Sequence, residues 1–224
     1  MIKTFILCHT QDFIIDSIEH NKYKNFNDYY FVFMGMGQIN KIKNINNVII
    51  CRDLPNNIEE QKNCLQYCGW YSLYYNEFLD TDYIRIIDYD LDIISINNKT
   101  SHCVKSGLGL GFDDHFLNKF GNHRKFVNIM NRYANGDIRK AISNYSKEFN
   151  QDKWFSSIDV LINKETFSKF MEWFKPIAEE IKDEYYFGMF FERVLTIFLI
   201  INNINYTITE NEVTHNQLQS YPYY

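Results

Sequence analysis

Asp88, Asp90 and Asp92 stand two residues apart at the end of an apolar run, Tyr83-Ile-Arg-Ile-Ile87. In an extended chain, residues two apart point to the same side, with Cα atoms roughly 6–7 Å apart. Carboxylates placed so can converge on a divalent cation, which takes hard oxygen ligands and keeps positions for water or phosphate. Without a cation, like charges gathered at the end of a buried strand repel and raise one another's pKa values. A solvated, merely acidic strand end is the plainer alternative, and it carries that cost. A calcium EF-hand is excluded: with Asp88 as its first position, Ile93 falls where the loop needs Gly and Lys99 where it needs a bidentate Glu.

Other polar residues sit where they could serve such a centre. His9 and Thr10 follow the apolar run Phe5-Ile-Leu-Cys8, and Arg52 follows Asn47-Val-Ile-Ile-Cys51. In a sheet of parallel strands, these are the ends that meet a nucleotide. Glu192 is expected at the edge of an apolar helical arc with Arg193 beside it on the polar side, where an exposed ion pair would contribute little. Asp159 precedes a short apolar run, and His215 lies in a late polar stretch. Gly107, Gly109 and Gly111 do not form a dinucleotide fingerprint, which needs G-x-G-x-x-G between a first strand and its helix. They are expected in a flexible loop.

The elements that must position these groups read as alternating strands and helices. Strands are predicted at 5–8, 29–34, 47–51 and 83–87, and each is followed by a turn and then polar or helical sequence. That order implies a βαβ sheet with ligands at the strand C-termini. Helical spacing of Leu65, Tyr67, Trp70, Tyr71, Tyr74 and Phe78 predicts a helix over 58–78. In the second half, 106–122 reads as loops and 126–149 as partly helical. A strand is predicted at 160–163, a helix over 166–174 closed by Pro176, and a helix over 186–201 stopped by Asn202 and Asn203. The fold class is α/β, a mixed central sheet flanked by helices, in one domain over 1–224. It reads as two halves, about 1–100 with the alternating strands and about 101–224.

Composition narrows the function. Apolar residues make up 46% and aromatics 17%, which excludes a disordered or fibrous chain. The net charge is −5 with no basic block, which argues against a nucleic-acid partner. Five widely spaced cysteines, Cys8, Cys51, Cys64, Cys68 and Cys103, read as reduced thiols. Cys64 and Cys68 lack the second ligand pair of a zinc site. Neither a signal peptide nor a transmembrane segment is expected, so the location is expected to be cytoplasmic.

A strand ending in Asp-x-Asp, about 85 residues into an α/β domain, resembles the DxD motif of GT-A-fold glycosyltransferases. Phe5-Ile-Leu-Cys-His9 and Trp70-Tyr-Ser-Leu-Tyr-Tyr75 resemble segments of small viral and bacterial polysaccharide transferases. Asp159-Val-Leu-Ile-Asn-Lys-Glu-Thr-Phe, Phe170-Met-Glu-Trp173 and Phe191-Glu192-Arg193 are similar to the C-terminal half of capsule-type transferases. The likeness extends to small transferases with which large DNA viruses glycosylate their capsids.

This resemblance implies a sugar transferred from a nucleotide-diphosphate donor, UDP-linked, to a glycan or glycoprotein acceptor. It implies Mn²⁺ or Mg²⁺ held by Asp88, Asp90 and Asp92, with His215 as a further ligand. Asp90 would be the principal ligand and Asp88 would lie toward the donor ribose, although Asp90 and Asp92 fit the motif too. His9, Thr10, Arg52, Trp70 and Asp88 would meet the donor. Asp159 and Glu192 are the two carboxylates that could serve as base toward an acceptor hydroxyl. A nucleotidyltransferase, or a sugar- or nucleotide-binding module without catalysis, is the competing class.

Overall fold

Strand β1 (Ile2–Cys8) is buried along nearly its whole length, as its almost unbroken apolar sequence requires of a central strand covered on both faces. It pairs in parallel with β2 (Tyr29–Phe33) on one side and with β4 (Tyr83–Asp88) on the other, and β3 (Val48–Ile50) pairs in parallel with β2. The computed structural model describes residues 2–61, 63–64, 66–89, 91–93, 102–105, 123–134, 136–141, 155–185, 187–209 and 213–215. The four strands expected in the first half are present within three residues of their predicted limits.

Beyond β4 the sheet turns antiparallel. β7 (Phe155–Asn163) runs against β4, β6 (His102–Lys105) against β7, and β8 (Thr207–Thr209) closes this edge in parallel with β6. The order is β3-β2-β1-β4-β7-β6-β8. A separate ribbon pairs β5 (Leu91–Ile93) with β9 (Val213–His215). The predicted mixed sheet with flanking helices is therefore the observed architecture.

Helix α1 (Gln11–Glu19) covers one face, setting Phe13 and Ile14 against Ile6, Phe31 and Phe33. Thr10 caps it, its hydroxyl accepting the Phe13 N–H at 3.3 Å. On the other face α2 (Gln66–Tyr75), α3 (His123–Tyr133), α4 (Lys164–Ile181) and α5 (Phe187–Ile201) share one core with Phe5, Leu7, Ile84, Ile86 and Val160. Gly69 lets α2 approach: a Cβ there would lie 2.8 Å from Leu7 Cδ2 and 2.9 Å from Met34 Sδ.

Two helix limits differ from expectation. Residues 58–61, 63 and 64 are not helical, with turn-forming N–H donation from Gln61 to Ile58 O and from Cys64 to Gln61 O. Asn57 favours the turns by accepting the Glu59 N–H and donating to Leu54 O. Pro176 lies inside α4 instead of closing it. The proline deprives the Glu172 carbonyl of its donor, yet Ile177, Ala178 and Ile181 continue the buried stripe begun by Phe167, Phe170 and Phe174. Burial of three more apolar side chains outweighs one lost bond. The helix over 187–201 ends as predicted at Asn202 and Asn203, with Asn203 at φ +52° and the Ile204 N–H returning to Leu199 O.

Candidate active site at the strand ends

The parallel strands end level with one another. Cys8 pairs with Phe33, Phe33 with Ile50, and Leu7 with Asp88. His9 and Thr10, the Met34–Gly37 turn, Arg52 and Asp88 therefore emerge along one edge, the edge at which such sheets hold ligands. Of the residues singled out in the sequence, the fold brings these four together: His9, Thr10, Arg52 and Asp88.

Asp88 is fixed from two sides. The Tyr89 N–H donates to Leu7 O at 3.0 Å and so carries the β1–β4 pairing past the carboxylate. The Gln66 side-chain amide, at the first turn of α2, donates to Asp88 Oδ2. The Tyr89 hydroxyl lies 3.2 Å from His9 Nε2, and the two rings meet edge to face at 4.8 Å. Tyr89 thus joins the ends of β1 and β4. Gln66 and Tyr89 had no assigned role in the sequence, since a glutamine within a helix and a tyrosine between aspartates carry no distinctive spacing.

Asp90 lies outside the described residues, as do Gly107, Gly109, Gly111 and the stretch 106–122 around them. The backbone nevertheless sets the C-terminal part of the chain beside the acidic run: Leu91 pairs with His215 and Asp92 with Thr214. Directly opposed residues in such a ladder have Cα atoms about 4.5–5.5 Å apart. Residues 124 and 122 positions apart in sequence are therefore neighbours. The backbone pairing of this ribbon sets the segment that follows β4 beside the late histidine, and Asp88 stands at the strand end with its side chain held by Gln66. Among the described residues no cluster of three or more metal-ligating side chains is complete.

Arg52 donates from Nη1 to Gly37 O at 2.9 Å, so its guanidinium holds the turn that follows β2. Behind that turn, Glu59 is 6% exposed and accepts the Gly35 N–H. Burial raises the Glu59 carboxyl above the usual range; the Gly35 N–H and, less strongly, the Cys51 thiol and Arg52 oppose the rise. Burial also pushes the Cys51 thiol up, and the Glu59 charge adds to it. Cys8, Cys51, Cys64 and Cys68 are free and buried, as expected of reduced thiols.

Two sequence assignments do not survive the geometry. Trp70 is fully buried, with Phe167, Phe170 and Phe191 at ring-centroid distances of 5.3, 5.7 and 5.1 Å, so its indole is core and out of a donor's reach. Asp159 lies within β7 rather than ahead of it, and its two oxygens accept from Arg85 Nε at 2.8 Å and Nη2 at 2.6 Å. Both side chains of this pair are at most 4% exposed. An acceptor hydroxyl cannot approach a carboxylate so enclosed, and a planar two-point pair is its function.

Glu192 fares better. Its side chain is 35% exposed, and it accepts from Arg193 Nη1 at 3.4 Å. Arg193, expected on the polar side, is the more buried of the two at 12%. On the same α5 turn, Phe191 is buried in the core with its ring 5.3 Å from that of Tyr67, the neighbour of Gln66. A cavity of about 30 Å³ lined by Val160, Ile162, Thr166, Leu195, Leu199 and Tyr206 lies toward the far end of β7, with room for a water or two and not for a nucleotide.

No family model and no curated protein matches the chain. Among solved structures, the apo form of WbbM, a bifunctional glycosyltransferase, superposes with a TM-score of 0.63 at 14% identity. The match covers 96% of this chain and 45% of that one, so the chain spans under half the length of the enzyme it resembles. At this identity the likeness establishes the fold alone, which the chain shares with part of that enzyme. Among the described residues no helix is long and apolar enough to cross a membrane.

Proposed function

We propose that the chain is a glycosyltransferase that moves a sugar from a nucleotide-diphosphate donor, UDP-linked, to a glycan or glycoprotein acceptor. The observation that carries this reading is the meeting of Asp88, at the end of a central parallel strand, with the β5–β9 ribbon that sets His215 beside Leu91. An acidic run so placed, in a fold shared with a glycosyltransferase, suits the diphosphate of a nucleotide sugar.

In this reading Asp88, Asp90 and Asp92, with His215, hold Mn²⁺ or Mg²⁺. The bound ion would supply Lewis-acid stabilisation of charge on the departing diphosphate. His9, Thr10 and Arg52 line the nucleotide end, with Tyr89 fixing the His9 ring and Arg52 fixing the turn after β2. Gln66 orients Asp88. Glu192 is the carboxylate that takes the proton from the acceptor hydroxyl, and Arg193 pairs with it.

A thermal-shift panel of nucleotide sugars with Mn²⁺ tests the reading. A donor at 100 times its dissociation constant stabilises the fold by about 2.7 kcal/mol. Release of free sugar from that donor, dependent on the cation, is the expected activity. A chain that neither shifts with any nucleotide sugar nor cleaves one would overturn the proposal.

A further inference from the structure

Glu59 is a buried carboxylate that the transfer chemistry above does not use. It sits in the turns after the 3-10 segment Cys51–Asp53, 24 residues from the N–H it accepts at Gly35. Gly35 has φ +85°, a left-handed conformation that other residues rarely adopt. Two residues on, the Gly37 carbonyl accepts from Arg52, and a Cβ at Gly37 would stand 3.5 Å from His9 O and 3.3 Å from Phe33 Cζ. Between the glycines, Met36 is 69% exposed. The turn is thus held from behind by a carboxylate, from the side by a guanidinium and in front by the chain of His9, while its tip faces outward. Leaving a carboxylate desolvated is costly, and a short surface turn does not need one for stability. A turn whose conformation must be set does.

We infer that Glu59 is a positioning residue for the donor site: by accepting the Gly35 N–H it sets the Gly35-Met36-Gly37 turn in the shape that receives the nucleotide end of the donor. This inference rests on the glycosyltransferase reading. It predicts that Glu59 acts on donor affinity and leaves the transfer step alone, because it touches neither Asp88 nor Glu192. It predicts too that any side chain offering an acceptor at the same place serves.

The test uses the full chain and three variants. Glu59→Leu removes the acceptor, Glu59→Gln keeps a carbonyl acceptor, and Gly35→Ala strains the turn at positive φ without a clash, since its Cβ meets nothing within 4 Å. Gly35 amide exchange is read by NMR, binding of UDP and GDP with Mn²⁺ by calorimetry, and transfer by steady-state kinetics. Losing a hydrogen bond to a charged acceptor corresponds to roughly tenfold or more in an equilibrium constant. Glu59→Leu is expected to speed Gly35 exchange and weaken nucleotide binding by about that factor, raising donor KM with kcat unchanged. Glu59→Gln is expected to stay within about threefold of wild type, and Gly35→Ala to weaken binding as Glu59→Leu does. The Gly35 variant covers the case in which Glu59→Leu does not fold. If the wild type binds nucleotide and the variants bind it equally well, the positioning role is wrong while the transferase reading stands. A loss of kcat without a rise in KM also overturns it. If the wild type binds no nucleotide diphosphate, the transferase reading fails first and takes this inference with it.

Discussion

Replacing Asp159 by Asn separates a structural carboxylate from a catalytic one. The substitution keeps the shape and one acceptor oxygen but removes the charge opposite Arg85, whose Nε and Nη2 donate to Asp159 at 2.8 and 2.6 Å. With both side chains at most 4% exposed, water cannot replace the lost partner. Breaking a buried pair from one side typically costs about 3–5 kcal/mol, because the remaining charge is stranded. In a chain of this length each kcal/mol lowers the melting temperature by about 2–4 °C, so the expected drop is about 6–20 °C. The pair can be removed as a whole more safely than by half. Arg85→Met with Asp159→Leu fills the space with apolar atoms and is expected to recover most of the loss. Differential scanning calorimetry of the two single variants and the double variant measures the cycle. Asp159→Asn melting within a degree or so of wild type, while losing turnover about 100-fold, would refute the structural assignment and restore Asp159 as a base.

The remaining predictions address the edge itself. Glu192→Gln is expected to lower turnover by roughly 10²–10⁴-fold, with donor affinity in calorimetry nearly unchanged. Asp90→Asn is expected to cost roughly 10²–10³-fold in rate with the fold intact, and Asp92→Asn less; a larger effect of Asp92→Asn in the same assay would move the pair one step along the chain. EDTA is expected to abolish the calorimetric signal for UDP, and undiminished affinity would remove the metal from the mechanism. Trp70→Ala is expected to destabilise by about 3–5 kcal/mol as a core truncation, which denaturant titration at constant m-value would show. Because burial raises the Glu59 carboxyl, the native chain holds that proton more tightly than the unfolded chain does. The corresponding stability is present below the ordinary carboxylate range and is lost as pH rises through the raised value. Glu59→Gln, which has no charge to bury, is therefore expected to gain stability over wild type as pH rises through that raised value, read in thermal melts across pH.

The strands of the first half were legible because each is a short apolar run bounded by polar turns, a pattern that burial on both faces imposes. The same logic failed for the helix over 58–78. Its aromatic spacing is genuine from Tyr67 onward, but Asn57 hydrogen-bonds a run of turns into place ahead of it, and local side-chain competition of this kind leaves no periodicity to read. Pro176 misled in the opposite direction, since tertiary burial of Ile177 and Ile181 overrode a local breaker. The placement of Asp88, His9, Thr10 and Arg52 along the strand ends was legible from the apolar runs that precede them. Asp159 was misassigned because its partner lies 74 residues away, and a lone carboxylate in sequence does not reveal whether a guanidinium faces it. Trp70 carried the same ambiguity, for an aromatic residue on a helix serves a core and a ligand by the same chemistry.

The placement of the Arg85–Asp159 pair accounts for its cost. β4 is the strand at which the sheet changes from parallel to antiparallel: β1 supports it on one side and β7 on the other. Ile87 pairs with Asp159 across that seam, and Asp88, the next residue, pairs with Leu7 on the far side. The Arg85 guanidinium also stands 5.6 Å from the Phe26 ring, in the segment between α1 and β2. One cation therefore fastens β4 to β7 and to the layer below, three residues before Asp88 at the end of the strand. Hydrophobic residues of similar volume would pack this seam at least as stably, but apolar contacts tolerate sliding, whereas a two-point pair accepts one geometry. In a glycosyltransferase of the proposed kind, the parallel strands carry the donor and α5, packed on β7, carries the base. A fixed relation between those halves is what in-line transfer between donor and acceptor requires. The double variant that restores stability is then expected to transfer sugar more slowly than wild type at saturating donor, although neither residue touches a substrate; equal turnover in stopped assays would show that the pair secures the fold and nothing more.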